Sequence, residues 1–370
     1  MLKMFGYRFV LLAGLFTFCA VQSGFSAESS PGHIVSPQLL EHAKLRILWE
    51  NELPIKKTET LQQLLMLGDR IYAVSNRNYI ASLDRENGND VFARIVPQAG
   101  LTFAGLKLYG DVLLSAGGSK LVEIDAQSGA ERKTTDVGFG ITCPAARNSS
   151  YFYVAGVDNR LHVIRADDRV QTFEVAAEND SIITSVLADE TSAVFTTAAG
   201  NVLCVASDGP RLLWQFDASG AIAGPLVRDS MSLFFASKDT NVYRVDITGL
   251  PEKRRLAWKH QTAAVLEKAP SVTQKVVYQH VRGKGLTAID KENGSFLWLV
   301  PGGADLLAES ADKAYVITET RTLVVMDNAK ARKLYSVNFA GVSKHVANTA
   351  DEKIYIADNR GRIACLQPVQ

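Results

Sequence analysis

Residues 276–298 read VVYQHVRGKGLTAIDKENGSFLW. An apolar run, Val276–Tyr278, meets a Gly-rich turn at Arg282–Gly285. A second run, Leu286–Ile289, leads into an acidic turn, Asp290–Gly294, and a third ends on Trp298. Short apolar runs separated by turn residues predict a meander of antiparallel strands. The spacing Ala288-x-Asp290-x-x-x-Gly294-x-x-x-Trp298 has a physical reason. Asp bonds its own backbone across the turn, Gly accepts the positive φ needed to leave it, and Trp sets a large flat surface in the next strand.

The pattern repeats along the chain. Asp84, Asp125, Asp246, Asp290 and Asp327 hold the turn position, and Arg165, Ala206 and Gln367 hold it in weaker copies, at intervals close to 40 residues. Gly88, Gly129, Gly209, Gly249 and Gly294 follow as the turn glycine. Phe92, Phe173, Trp214, Trp258, Trp298 and Tyr335 close the unit, with Lys133 where an aromatic belongs. Eight units of this length, with four short strands each, predict an all-β, eight-bladed β-propeller of four-stranded antiparallel blades. Inner strands are expected at segments such as Ala269–Val272 and Ala347–Thr349. The chain ends on a third strand, so Leu45–Trp49 is expected to supply the fourth and close the last blade.

Residues 1–27 carry Lys3 and Arg8, an apolar run Phe9–Val21, then small residues at Gly24, Ser26 and Ala27. That is the pattern of a secretory signal peptide, with an apolar core too short to span a bilayer. Cys19 supports a rival reading, a lipoprotein acylated at that cysteine, although bulky Phe18 precedes it. Residues 28–44 read as an N-terminal arm and 45–370 as the propeller. Without Lys3 and Arg8, the 40 basic residues fall to 38 against 39 acidic ones, a balance that argues against general nucleic-acid binding. No later run reaches membrane-spanning length. The expectation is an exported chain, monomeric by itself.

Composition and spacing suggest no catalytic, cofactor or metal site. The six histidines lie in different units or in the arm, without metal-ligand spacing, and Cys143, Cys204 and Cys365 read as small buried residues. Lys107, Arg147, Arg228 and Glu309 are the main charges near the inner strands. The B–C hairpins, expected on one face of the disc, hold Arg77, Lys120, Arg160, Lys238, Arg282, Lys284, Arg321, Arg360 and Arg362 against four acids, a net of +5. The C–D turns on the other face sum to −6. Arg77, Arg160, Arg360 and Arg362 are therefore the candidate partner-facing residues.

Ala288-x-Asp290-x-x-Asn293-Gly294-x-x-x-Trp298 resembles the tryptophan-docking motif of the PQQ-repeat propellers, with Asn for the usual Thr before the glycine. Residues 82–92 are a second copy with Phe for Trp. The resemblance implies that Asp84, Gly88, Phe92, Asp290, Gly294, Trp298, Trp214 and Trp258 lock neighbouring blades together. It also implies one of two functions. The first is a non-catalytic interaction scaffold of the bacterial envelope, like the BamB-type propellers of outer-membrane protein assembly. The alternative is a divergent PQQ-binding or redox-associated quinoprotein-like protein, with a carbohydrate- or ligand-binding propeller third. The chain lacks the adjacent cysteine pair of many quinoproteins and shows no convergent set of cations and carboxylates.

Overall fold

A computed structural model describes residues 32–96, 100–247, 255–310 and 312–369. The signal-peptide segment, Cys19 and Gly249 lie outside the described residues. Eight four-stranded antiparallel sheets form the ring. Blades 1 to 7 span 61–95, 103–136, 146–176, 183–217, 222–261, 271–301 and 303–338. Blade 8 combines residues 344–368 with the N-terminal strand Leu45–Glu52, which pairs antiparallel to Arg362–Pro368. The first and last parts of the described chain thus share one sheet, so the ring leaves no blade with a missing edge.

The quoted stretch forms the strands Val276–Val281, Gly285–Asp290 and Phe296–Pro301, preceded by a two-residue inner strand, Ser271–Val272. The expected inner strand at Ala347–Thr349 is displaced. Blade 8 uses Lys344–His345 instead, and Asn348 forms an isolated bridge to Ala308. Asn348 accounts for the shift: its side chain caps the following turn, accepting from the amides of Ala350 and Asp351.

In every blade a β-bulge interrupts the pairing of the outer strand at one equivalent place. The residue just past it is Phe92, Lys133, Phe173, Trp214, Trp258, Trp298, Tyr335 or, in blade 8, Trp49. A bulge adds a residue and twists the strand locally, which re-aims a side chain. Here the re-aimed side chain is the one at the docking position.

The apolar core is divided into eight clusters, one at each joint between blades. Near-continuous apolar middle strands, such as Val112–Gly117 and Asn201–Ala206, are buried on both faces and suit this stacking. The N-terminal arm contributes too. Ile34, Val35, Leu40 and Ala43, around the short helix Pro37–His42, pack into the joint between blades 7 and 8. Removing residues 28–50 should therefore expose a sheet edge and empty part of two joints. Cooperative thermal unfolding should be lost or replaced by aggregation, and an unchanged melting transition would refute strand closure as the staple of the ring.

Candidate functional site

Three joints place the outer-strand aromatic of one blade on the C–D turn glycine of the next. Asp84 Oδ1 accepts from the amides of Glu86 and Asn87, and Asp290 Oδ1 accepts from those of Glu292 and Asn293. Gly88 and Gly294 then take φ of +73° and +74°. Trp49 lies on Gly88 and Trp258 on Gly294, so close that a Cβ on Gly294 would sit 2.7 Å from the indole. Glycine is thus required twice, for its backbone angle and for its bare face. Phe92 packs in the same way on Gly129. The indole N–H of Trp49 donates to Arg85 O at 3.1 Å, and that of Trp258 to Lys291 O at 2.9 Å. Trp214 is buried between blades 4 and 5.

Trp298, the aromatic of the motif quoted first, is buried but differs. Its Nε1 has no hydrogen-bond partner among the described residues. Blade 7 has no turn glycine, and Ala331 adopts the positive φ in its place. The joint between blades 2 and 3 departs further. Lys133 replaces the aromatic and Arg169, at φ +66°, replaces the glycine. The guanidinium of Arg169 reaches back to Glu123, which also holds Arg147 at 3.0 Å, and both arginines lie over the Phe152 ring. A charge-assisted and cation–π contact thus replaces a stacked aromatic.

A tyrosine tier escaped the motif. Tyr72, Tyr153, Tyr278, Tyr315 and Tyr355 are almost fully buried. Each precedes its turn position by the same twelve residues, a regularity present in the sequence. Tyr153 donates to Ser207 O at 3.0 Å, and Tyr355 and Trp49 both approach Arg85 O in the next blade.

The B–C face is less basic than its hairpins alone. Arg160 pairs with Glu174, Arg282 with Glu267, Lys120 with Asp136 and Arg362 with Asp358. Glu174, Glu267 and Asp136 lie outside the hairpins and lower the net charge of the face below the +5 of the hairpins alone. Arg77 and Arg360 are exposed and have no ion-pair partner among the described residues. Near the closure, Lys56, Lys57 and Arg360 line a cavity of about 490 Å³ together with Glu52 and Glu59. Leu61 N bonds Asn359 O and Asn76 N bonds Thr60 O, which ties the hairpins of blades 8 and 1 to this segment.

On the opposite face the acidic turns are matched across joints. Arg85 pairs with Asp351, Lys353 with Glu86, Arg228 with Asp189 and Arg244 with Glu292. The acidic turns therefore serve the ring first. Among the described residues, no group of three or more His, Cys, Asp or Glu could hold a metal ion.

Eight four-stranded blades, with aromatics of one blade docked on turn glycines of the next at Gly88, Gly129 and Gly294, define a PQQ-repeat propeller of the quinoprotein-like class. The family model described as outer membrane protein assembly factor BamB matches residues 39–247 and 238–369, and the chain belongs to that family. BamB from Moraxella catarrhalis is similar in structure, with a TM-score of 0.66 and 15% identity over 87% of this chain and 99% of that one. The computationally designed Ika8 protein gives a TM-score of 0.65 at 14% identity, covering 86% of this chain and 98% of that one. The β-propeller domain of Cps50 (Swd1) from Myceliophteria thermophila gives 0.57 at 14% identity, covering 87% and 100%. These likenesses show the fold. No curated protein matches the sequence.

Two predictions follow from the joints. Trp258→Phe should cost about 1–2 kcal/mol more than Trp298→Phe in urea unfolding, since only Trp258 gives up an indole hydrogen bond and only Trp298 sheds an orphan donor. Equal costs would remove the distinction between the two joints. The second concerns acid. Burial pushes Asp189 up, but Arg228 and the Thr191 and Ser192 amides more than offset this and hold it at about 2, below its ordinary 3.8. The depressed carboxyl contributes stability that is present above pH 3.8 and lost as pH falls toward 2. The stability gap between the parent and Arg228→Ala should therefore be full at pH 6 and shrink across that window. A gap independent of pH would show that the pair is not coupled to folding.

Proposed function

We propose that the protein is an exported, non-catalytic interaction scaffold of the bacterial envelope that serves outer-membrane protein assembly. The match of the BamB family model to nearly the whole propeller carries this reading. The apolar run and small residues within 1–27 support export to the periplasm. No helix among the described residues is long and apolar enough to cross a membrane. Against the quinone-binding alternative, two of the inner-strand cations that a polyanionic cofactor would need are already engaged. Arg147 is held by Glu123 and Arg228 by Asp189.

The proposed contact surface is the closure region of the B–C face, around Arg77 and Arg360. Planar guanidinium groups without an internal carboxylate suit an acidic partner surface. Arg160 and Arg362 contribute to the field of that face from within their own ion pairs. In-cell crosslinking at this face should capture a partner. The double substitution Arg77→Glu, Arg360→Glu should leave thermal unfolding within about 0.5 kcal/mol of the parent, as exposed changes do, and reduce capture several-fold. Raised salt should act in the same direction by screening. A partner captured equally well by the double variant, and indifferently to salt, would move the contact surface elsewhere on the disc.

A further inference from the structure

The inner strand of blade 7, Gly303–Glu309, ends at the mouth of the ring on the face of the acidic turns. There the A–B turns of blades 6, 7 and 8 border a cavity of about 230 Å³, with Thr273, Lys275, Glu309, Ser310, Thr349 and Asp351 in its lining. At about 30 Å³ per water, that space holds roughly eight waters, enough for a small cation or the end of a long side chain.

Among the partly buried carboxylates described, Glu309 is the one with a buried oxygen that no hydrogen bond reaches. Asp351 has Arg85, Glu123 has Arg147 and Arg169, Asp189 has Arg228, and Asp229 has Lys291. Glu309 has no ion-pair partner among the described residues. Its Oε1 accepts from Asn328 Nδ2 at 2.9 Å, while Oε2 is buried without a hydrogen bond. Asn328 Oδ1 beside it is also buried and unpartnered. Burial pushes the Glu309 carboxyl above its ordinary range, and Thr273, Tyr278, Asn328 and Lys275 offset this only in part. A carboxylate left in this state is costly, and a cation supplied from outside removes the cost.

We propose that this cavity binds a cationic nitrogen group, a primary ammonium or a guanidinium, with Glu309 as its counter-ion and the hydroxyls of Ser310 and Thr349 at its edge. Lys275, exposed on the rim, is the internal competitor for the same carboxylate. The group comes either from a free amine or from a lysine or arginine side chain of a partner protein. The site does not depend on the scaffold reading, because it is testable on the purified chain.

The experiment is calorimetric titration of the mature protein, at pH 8 and low salt, with N-acetyl-arginine amide and with n-butylammonium. At least one probe should bind saturably at one site. Glu309→Gln should weaken binding by about tenfold or more, and Lys275→Ala should tighten it by removing the competing ammonium. Absence of saturable binding to the parent overturns the proposal. So does undiminished binding to a Glu309→Gln protein with native thermal unfolding. Should Glu309→Gln fail to fold, the Lys275→Ala titration decides, and binding that does not tighten counts against the site. A photocrosslinker at Gln274 separates the two sources. Protein capture that N-acetyl-arginine amide competes away assigns the group to a partner side chain, and probe binding without capture assigns it to a free amine.

Discussion

The ring is set by its joints, and the contact that defines them is a flat side chain from one blade laid on a turn glycine of the next, as Trp49 lies on Gly88, Phe92 on Gly129 and Trp258 on Gly294. An isolated four-stranded blade has two apolar faces and cannot bury either alone. Among the described residues the core divides into eight clusters, one per joint. The angle at which blades meet is therefore as important as the strands themselves. The outer-strand bulge sets that angle by turning Trp49 or Trp258 out of the blade plane, and the Asp-anchored turn presents a glycine to receive it. Hydrophobic burial is non-directional. The indole N–H to the carbonyl after the turn aspartate supplies the direction.

This division of labour explains what the sequence revealed. The turn signature is local, needing Asp and Gly at fixed spacing, so the period and the eight blades could be read from residues alone. Closure by Leu45–Trp49 was legible because a missing fourth strand and a surplus first strand are complementary. Partners across joints were not. Phe92 shares a unit with Gly88 in sequence yet packs on Gly129, and Gly88 receives Trp49. Glu123, Arg147 and Arg169 looked unrelated until two blades were brought side by side. The charge of the B–C face was misjudged for the same reason. Its hairpins were summed without the outer-strand and connecting acids that fold against them.

The departures from the repeat are of two kinds, and the difference is physical. At the joint of blades 2 and 3 the aromatic and the glycine are both lost, but each loss answers the other. Lys133 vacates the space, Arg169 occupies it, and Glu123 and Phe152 receive its charge and its plane. Nothing polar is left over except one nitrogen of Arg169. Such a joint satisfies its own charges, which do not advertise a ligand.

The joint of blades 6 and 7 also departs from the repeat, and there the loss is not answered. Without a turn glycine, Trp298 keeps its burial and gives up its acceptor. Its ring lies 5.7 Å from that of Tyr278, whose hydroxyl meets Asn328 at 3.1 Å, and Asn328 holds Glu309. Trp298, Tyr278, Asn328 and Glu309 are thus linked in series, three of them carry an orphan atom, and Glu309 lines the cavity. Well-folded sequences satisfy their buried polar groups, and the places where they do not are where function tends to reside. A carboxylate with an unpartnered oxygen in the lining of an open cavity marks a place for something that the chain itself does not supply.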